Sequence, residues 1–392
     1  MTSSGSTDRI LTTHVGSLIR PPELVEILKL REYGKPYDED AYAKVLAKAV
    51  ADVVRRQAEV GVDIVSDGEF GKSVSWSRYV RERLGGFELR EDTANIPAVV
   101  PEGTDKRRFP EFYAEYETKQ GFVGTLGNWV CVGPVEYVGQ AALQRDIDNL
   151  KAAVAGVDVV DAFLPVVAPA SVVPWRRDEY YDSEEEFVFA VADALNVEYR
   201  TIVDAGLIVQ VDDAYLPMMY DTLGSPEDLG EYRAWAELRI EALVRALDGI
   251  PQDRCRYHVC WGSWNAPHTG DVALQDIIDL ILRVPAGAYL IEQANPRHEH
   301  EWRVWEHVEL PAGRKVIPGL VSHATNVVEH PELVAERIVR LAEIVGRENV
   351  LAGTDCGFAQ GPFVQRVHPS IQWAKLQALA DGARLATERL FG

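Results

Sequence analysis

Eight short runs rich in Val, Ile and Leu recur along the chain, and longer helical patterns follow most of them. They occupy residues 10–16, 63–66, 157–165, 207–212, 256–261, 288–293, 315–320 and 350–354. Parallel strands cannot be joined by a tight turn and need a crossover, usually a helix. The alternation therefore predicts a parallel sheet covered by helices. Eight such units fit one α/β fold, a (β/α)8 TIM barrel, better than the two or three domains a 392-residue chain otherwise suggests.

The helical stretches have their own signals. Between residues 39 and 60, Ala43, Leu46, Ala47, Val50, Val53 and Val54 recur at helical spacing. Ser183 precedes Glu184, Glu185 and Glu186, a cap followed by acids that suit a helix N-terminus. Residues 226–248, 331–345 and 370–390 complete the set. One stretch breaks the rhythm. About 90 residues separate the second and third runs, far more than one βα unit needs. Residues 85–120 are charged and Pro-containing, and 128–138 (NWVCVGPVEYV) reads as an extra strand or hairpin. An insertion at about 85–150, between the second and third barrel strands, is expected beside or over the barrel mouth. Residues 1–9 read as a flexible tail without a secretion signal, and 10–392 as a single barrel.

Charge and cysteine content narrow the function classes. Sixty-one acidic side chains against 40 basic ones give a net charge of −21. That speaks against nucleic acid and against an anionic membrane surface. No apolar run approaches the roughly 20 residues of a membrane-spanning helix. Four cysteines are too few for a disulfide scaffold of this size, so a reducing, cytoplasmic location is expected.

In a barrel of this kind function collects at the C-terminal ends of the strands. The polar residues there are His14 and Ser17, Asp67 and Glu69, Asp212 and Asp213, His258 and Cys260, Glu292, His323, and Asp355 with Cys356. His258 and Cys260 stand two apart on a strand and so share a face. Glu292 ends the next run and Cys356 follows the last. One imidazole, two thiols and a carboxylate make a plausible tetrahedral zinc set, or three ligands with a displaceable fourth. The alternative is packing, the commoner fate of a lone H-x-C. His298 and His300 have ligand-like spacing but lie in a charged stretch that reads as a solvated loop. Trp76, Trp261, Trp264, Trp302 and Trp305 suit either an aromatic donor pocket or the core.

Seven segments occur in one order: TTHVGSLIRP (12–21), SDGEF (66–70), VQVDD (209–213), YHVC (257–260), LIEQA (290–294), PGLVSH (318–323) and GTDCG (353–357). In them the chain resembles the catalytic barrel of the cobalamin-independent methionine synthase family. That family includes single-barrel relatives such as epoxyalkane:coenzyme M transferase. The resemblance implies a Zn2+ that binds the acceptor thiol. His258, Cys260 and Cys356 match its ligands, with Glu292 as the exchangeable fourth. Gly16 and Ser17 would bind a small anion, and Glu69 and Asp212 an ammonium. His323 would act as a general acid near the reacting group. Arg20 would bind a carboxylate or sulfonate, or pair with a surface acid.

The implied activity is zinc-dependent transfer of an alkyl group to a thiol, with S-methyl transfer to homocysteine or a similar small thiol as its leading form. Ring opening of an epoxide by a thiol is the alternative within the family. A metal-free lyase resembling uroporphyrinogen decarboxylase is the alternative of another class. The full-length methionine synthases have two barrels and this chain one, and Phe358-Ala359-Gln360 departs from their pattern. Both differences touch the donor, which stays open between a methylfolate, a methylcobamide and an epoxide.

Overall fold

The computed structural model describes residues 8–72, 75–90, 103–119, 128–172, 177–223, 229–363 and 365–392. Its strands are β1 (Ile64–Ser66), β2 (Phe87–Arg90), β3 (Asn128–Cys131), β4 (Asp161–Val167), β5 (Arg177–Asp178), β6 (Ile208–Asp213), β7 (Cys255–Val259), β8 (Ala288–Ile291), β9 (Lys315–Val321) and β10 (Gly353–Thr354). Seven of these pair in parallel, in the order β1-β4-β6-β7-β8-β9-β10. Residues 11–13 fill the gap between the two ends. The Thr13 N–H donates to Ala352 O and the Ala352 N–H to Leu11 O, both at 2.8 Å. On the other side the Ile64 N–H donates to Thr12 O at 3.0 Å. Eight parallel positions thus close the barrel that the alternation predicts.

The first position is shorter than expected, a single parallel bridge between Thr12 and Ala352. Thr12 turns its N–H and its hydroxyl to the Asp63 carboxylate instead of extending a ladder. At Gly16 the backbone enters positive φ (139°), where a Cβ would strike Pro165. The helices follow the sequence closely. Asp38 caps Glu39–Glu59 by accepting the Ala41 N–H, and Ser183 caps Glu184–Asp204 by accepting the Glu186 N–H. Residues 1–7 of the expected tail lie outside the described residues.

Register stacks the barrel interior in layers. Ile208, Phe163, Ile64, Leu11, Ile317 and Leu351 belong to an apolar plug. Each such side chain contributes about 1.5–3 kcal/mol on burial. Above it, Gln210 pairs in register with Arg256. The Arg256 guanidinium is buried 4.0 Å from the Phe163 ring centroid and donates to Thr13 Oγ1, His14 O and Gln210 Oε1. One layer higher, Asp212 pairs with His258. Period-two alternation then points the residues just past β7 and β8 into the mouth.

The expected 85–150 segment divides. Residues 91–102 and 120–127 lie outside the described residues. β2 and β3 pair antiparallel and β5 joins them in parallel, making a second small sheet. Thr104–Arg108 and Pro110–Lys119 are helices, docked where the Asp105 carboxylate accepts the Thr269 N–H at 3.0 Å. Gln140–Val154 packs against Glu39–Glu59 as part of the helical layer, so the expected end at 150 falls inside a helix. No helix among the described residues is long and apolar enough to cross a membrane.

Candidate metal centre

His258 lies inside β7, Cys260 one residue past it, and Cys356 two residues past β10; all three are buried. Their ligand atoms lie within 4.8 Å of one another. The two sulfurs are 3.8 Å apart and not bonded. Two thiolates, each about 2.3 Å from a tetrahedral ion, stand about 3.8 Å apart, so the spacing suits a shared zinc. His258 Nδ1 lies 3.0 Å from Asp212 Oδ1, and Nε2, 3.3 Å from the Asp355 carbonyl, is the nitrogen on the side of the two sulfurs that an ion would take. Ala214, Met218 and Trp76 supply an apolar border to the sulfurs.

The electrostatics agree with such a site. Burial alone would lower the His258 pKa, but the hydrogen bond and charge of Asp212 outweigh it and raise it to about 9. The Cys260 thiol is held well above the usual range, first by its hydrogen bond to Cys356 and then by burial. An ion would displace these protons as it bound. Asp212→Asn should lower the affinity for zinc by about 10–100-fold in a chelator competition, the usual cost of losing a carboxylate behind a ligating histidine. An unchanged affinity would remove Asp212 from that role.

Glu292 sits apart from this trio. It follows β8, is 1% exposed, and accepts the Trp261 N–H at 3.2 Å and an Asn295 Nδ2–H at 3.0 Å. These bonds turn its carboxylate toward His323 and Asp355, with which it forms a second group whose ligand atoms lie within 4.8 Å. His323 is buried, and neither ring nitrogen makes a hydrogen bond of ordinary length and angle, although the Ser263 backbone lies close enough to favour its protonated form. Burial first, then the charges of Arg366 and His268, depress its pKa to about 3. The ring is neutral at pH 7, an imidazole with one N–H and one free lone pair.

The trio forms one wall of a cleft, with Ser17, Glu69, Asp212 and Trp76 among the other walls. Trp76 is thus the one residue of the five expected tryptophans on this lining. Glu69 takes a left-handed backbone (φ 61°), fixed by its N–H bond to Asp67 Oδ1 at 2.9 Å. Lys72 Nζ lies 3.2 Å from Glu69 Oε2. Ser17 Oγ is buried without a partner. Gly16 lies off the cleft and spends its N–H on His14 Nδ1 at 3.1 Å. Arg20 is buried, not paired with a surface acid, and donates to the Glu69 and Lys72 carbonyls. His14 is a satisfied core histidine, bonded to Gln57 Oε1 at 2.7 Å and lowered by burial to a pKa of about 4.

One group escaped the sequence reading. His298, expected in a solvated loop, is 3% exposed and stacks on Trp261 at 4.1 Å between ring centroids. His298 Nε2 and His268 Nδ1 each lie 2.9 Å from the same Asp271 oxygen, and His298 Nδ1 is 2.8 Å from Glu301. Burial opposes both charges, but Asp271, joined at His298 by Glu301, raises His268 to about 9 and His298 to about 10. Both values exceed the ordinary 6.5, so the stabilisation is complete below that pH. It is lost as pH rises through 9 and then 10. The gap in thermal midpoint between the parent and His298→Gln should narrow between pH 7 and 10.5; a constant gap would contradict the assignment.

A family model described as "Cobalamin-independent synthase, Catalytic domain" matches residues 116–375. A methionine synthase of Saccharolobus solfataricus is 24% identical over 383 residues, 97% of this chain and 95% of that protein. One from Thermococcus kodakarensis is 24% identical over 393 residues, covering 97% and 94%. A B12-independent methionine synthase from Shewanella sp. W3-18-1, in complex with selenomethionine, superposes with a TM-score of 0.73 at 19% identity, covering 97% of this chain and 99% of that one. A putative vitamin-B12 independent methionine synthase from Listeria monocytogenes gives 0.66 at 21% identity with the same coverage. The two structures establish likeness of fold.

Proposed function

The chain belongs to the cobalamin-independent synthase catalytic-domain family, and we propose that it is a zinc-dependent methyltransferase that methylates homocysteine or a closely similar amino-acid thiol. The observation that carries this reading is the 3.8 Å sulfur pair with His258, set in the wall of a cleft that also holds two carboxylates. Zinc, when bound there, supplies the charge that keeps a small thiol ionised at neutral pH. The chain's own residues do the rest. Glu69 and Asp212 face the cleft and suit an ammonium, while the unpartnered Ser17 hydroxyl suits a carboxylate. Trp76, Ala214 and Met218 keep water from the sulfur. The acceptor sulfur forms its bond to the methyl carbon, and the donor leaves with the electron pair of the broken bond.

Two further points support an amino-acid acceptor. The relatives named methionine synthase are matched over about 95% of their own length, so a one-barrel chain is no bar to that activity. The selenomethionine in the Shewanella structure has the size and charges of the expected product. Arg20, the cation a sulfonate thiol would need, is turned to backbone carbonyls. Calorimetry on the zinc-loaded chain should show homocysteine binding at least about tenfold tighter than 2-mercaptoethanesulfonate, a preference of about 1.4 kcal/mol. No heat with homocysteine would overturn the acceptor. Methylfolates and methylcobamides, tested with labelled methyl groups, then identify the donor.

A further inference from the structure

We propose that Lys72 sets the acceptor preference of the cleft: it is a positioning residue that keeps the Glu69 carboxylate charged and ready for an ammonium group. The inference deepens the homocysteine reading above and rests on it. Lys72 does not line the cleft, so it acts through Glu69, which does.

The turn after β1 is built to bring the two together. The Glu69 N–H donates to Asp67 Oδ1, and the Lys72 N–H donates to Glu69 O at 3.1 Å. Arg20 donates to the carbonyls of both residues. Between them Gly71 lies flat on Asp146, whose carboxylate a Cβ would strike. Lys72 Nζ then stands 3.2 Å from Glu69 Oε2 and 4.5 Å from the centroid of the Tyr79 ring. That ring is fixed by its hydroxyl, which donates to Glu198 at 3.1 Å and accepts the Val167 N–H at 3.2 Å. The Lys72 side chain is 6% exposed, and Nζ makes no hydrogen bond of ordinary geometry.

A buried ion pair is often no more stabilising than apolar residues of its volume. The charge of Lys72 serves the group it faces. Glu69 is 2% exposed, and burial raises its pKa. Lys72 is the largest influence against that rise, ahead of Arg20, while Asp212 adds to it. Asp67, raised to about 7 first by burial and then by Asp146, shares the field of Lys72. Without the lysine, Glu69 would take up a proton and offer an ammonium no charge. Asp212 is no substitute, since its Oδ1 is already engaged by His258 Nδ1 at 3.0 Å and Gln210 Nε2 at 2.9 Å. With Oε2 on Lys72, Glu69 keeps Oε1 for the acceptor. Gly16 leaves that oxygen room, because a Cβ there would stand 3.1 Å from it.

Calorimetry of two thiols on the zinc-loaded full chain tests this: homocysteine, and 4-sulfanylbutanoate, which is homocysteine without its amino group. The parent should prefer homocysteine at least about tenfold. Lys72→Met should cut that preference to about twofold or less, with 4-sulfanylbutanoate held within about threefold of its parent affinity. In a Glu69→Gln background, Lys72→Met should change the preference no further. Should Lys72→Met fail to fold by circular dichroism, Lys72→Gln, which keeps an N–H donor but no charge, takes its place in both comparisons. A preference retained without the lysine charge would overturn the proposal. So would an equal loss of both thiols, the mark of a merely structural residue, or a further change in the Glu69→Gln background. No heat with homocysteine in the parent overturns the acceptor reading itself, and this inference with it.

Discussion

Cys260→Ser and Cys356→Ser should each strip the chain of zinc and slow methyl transfer to homocysteine on the order of a thousandfold. Each removes one of three donors grouped within 4.8 Å and replaces a soft sulfur with a hard, weakly acidic hydroxyl. A free alkyl thiol is only a few per cent ionised at neutral pH. The charge supplied by a bound ion adds several kcal/mol of stabilisation, and about 4 kcal/mol is a thousandfold in rate. Cys131 and Cys255 provide the controls. Both are buried away from the cleft, and burial pushes the Cys255 thiol up to about 12. Their serine variants should keep the ion. Elemental analysis of dialysed protein, with initial rates, checks all four. Zinc absent from the parent, or retained in both Cys260→Ser and Cys356→Ser, would break the reading at its centre.

Lys375→Met should cost about 3–5 kcal/mol of stability, because it strands a carboxylate in the interior. Lys375 is fully buried in the Pro369–Phe391 helix and holds both oxygens of Glu329, at 3.0 and 2.8 Å, as well as the Val327 carbonyl. Glu329 in turn accepts the Ser322 N–H at 2.8 Å, one residue before His323. The pair therefore clamps the loop that presents His323. Adding Glu329→Gln to Lys375→Met should recover much of the loss, since no charge is then left unpaired. Urea denaturation of the parent and both variants measures it. A loss below about 1 kcal/mol would place the pair in the range of solvent-screened surface bridges.

The site was legible where strand geometry alone decides placement. His258 lies on β7 and Cys260 one residue past its end, Cys356 follows β10, and period-two alternation suffices to aim them inward. Glu292 was not, because a strand end fixes its Cα while the Trp261 and Asn295 hydrogen bonds fix its carboxylate. His298 misled for a different reason. Its stretch is charged, but its partner Asp271 lies 27 residues away, and only the fold brings the two together. The usable signal was the spacing of His268 to Asp271 and His298 to Glu301, three apart in both cases. Arg20 looked like a surface cation because nothing in its neighbourhood reveals that two backbone carbonyls await it.

The closure of the ring by residues 11–13 has a consequence for how the molecule comes into being. Val15 donates to the Thr354 hydroxyl across 339 residues, and the Phe358 N–H reaches Ser17 O at 2.8 Å. The two extremities of the chain are therefore stitched together at the reaction cleft. A nascent chain still missing its last fifty residues has no such seam, and the free flanks of β1 and β9 stay open to pairing with another chain. Contacts this distant in sequence form slowly and late. On the proposed reading, ion capture by the thiol trio would report finished folding, and a ribosome-stalled or truncated product should be recognisable by its aggregation and its failure to take up zinc.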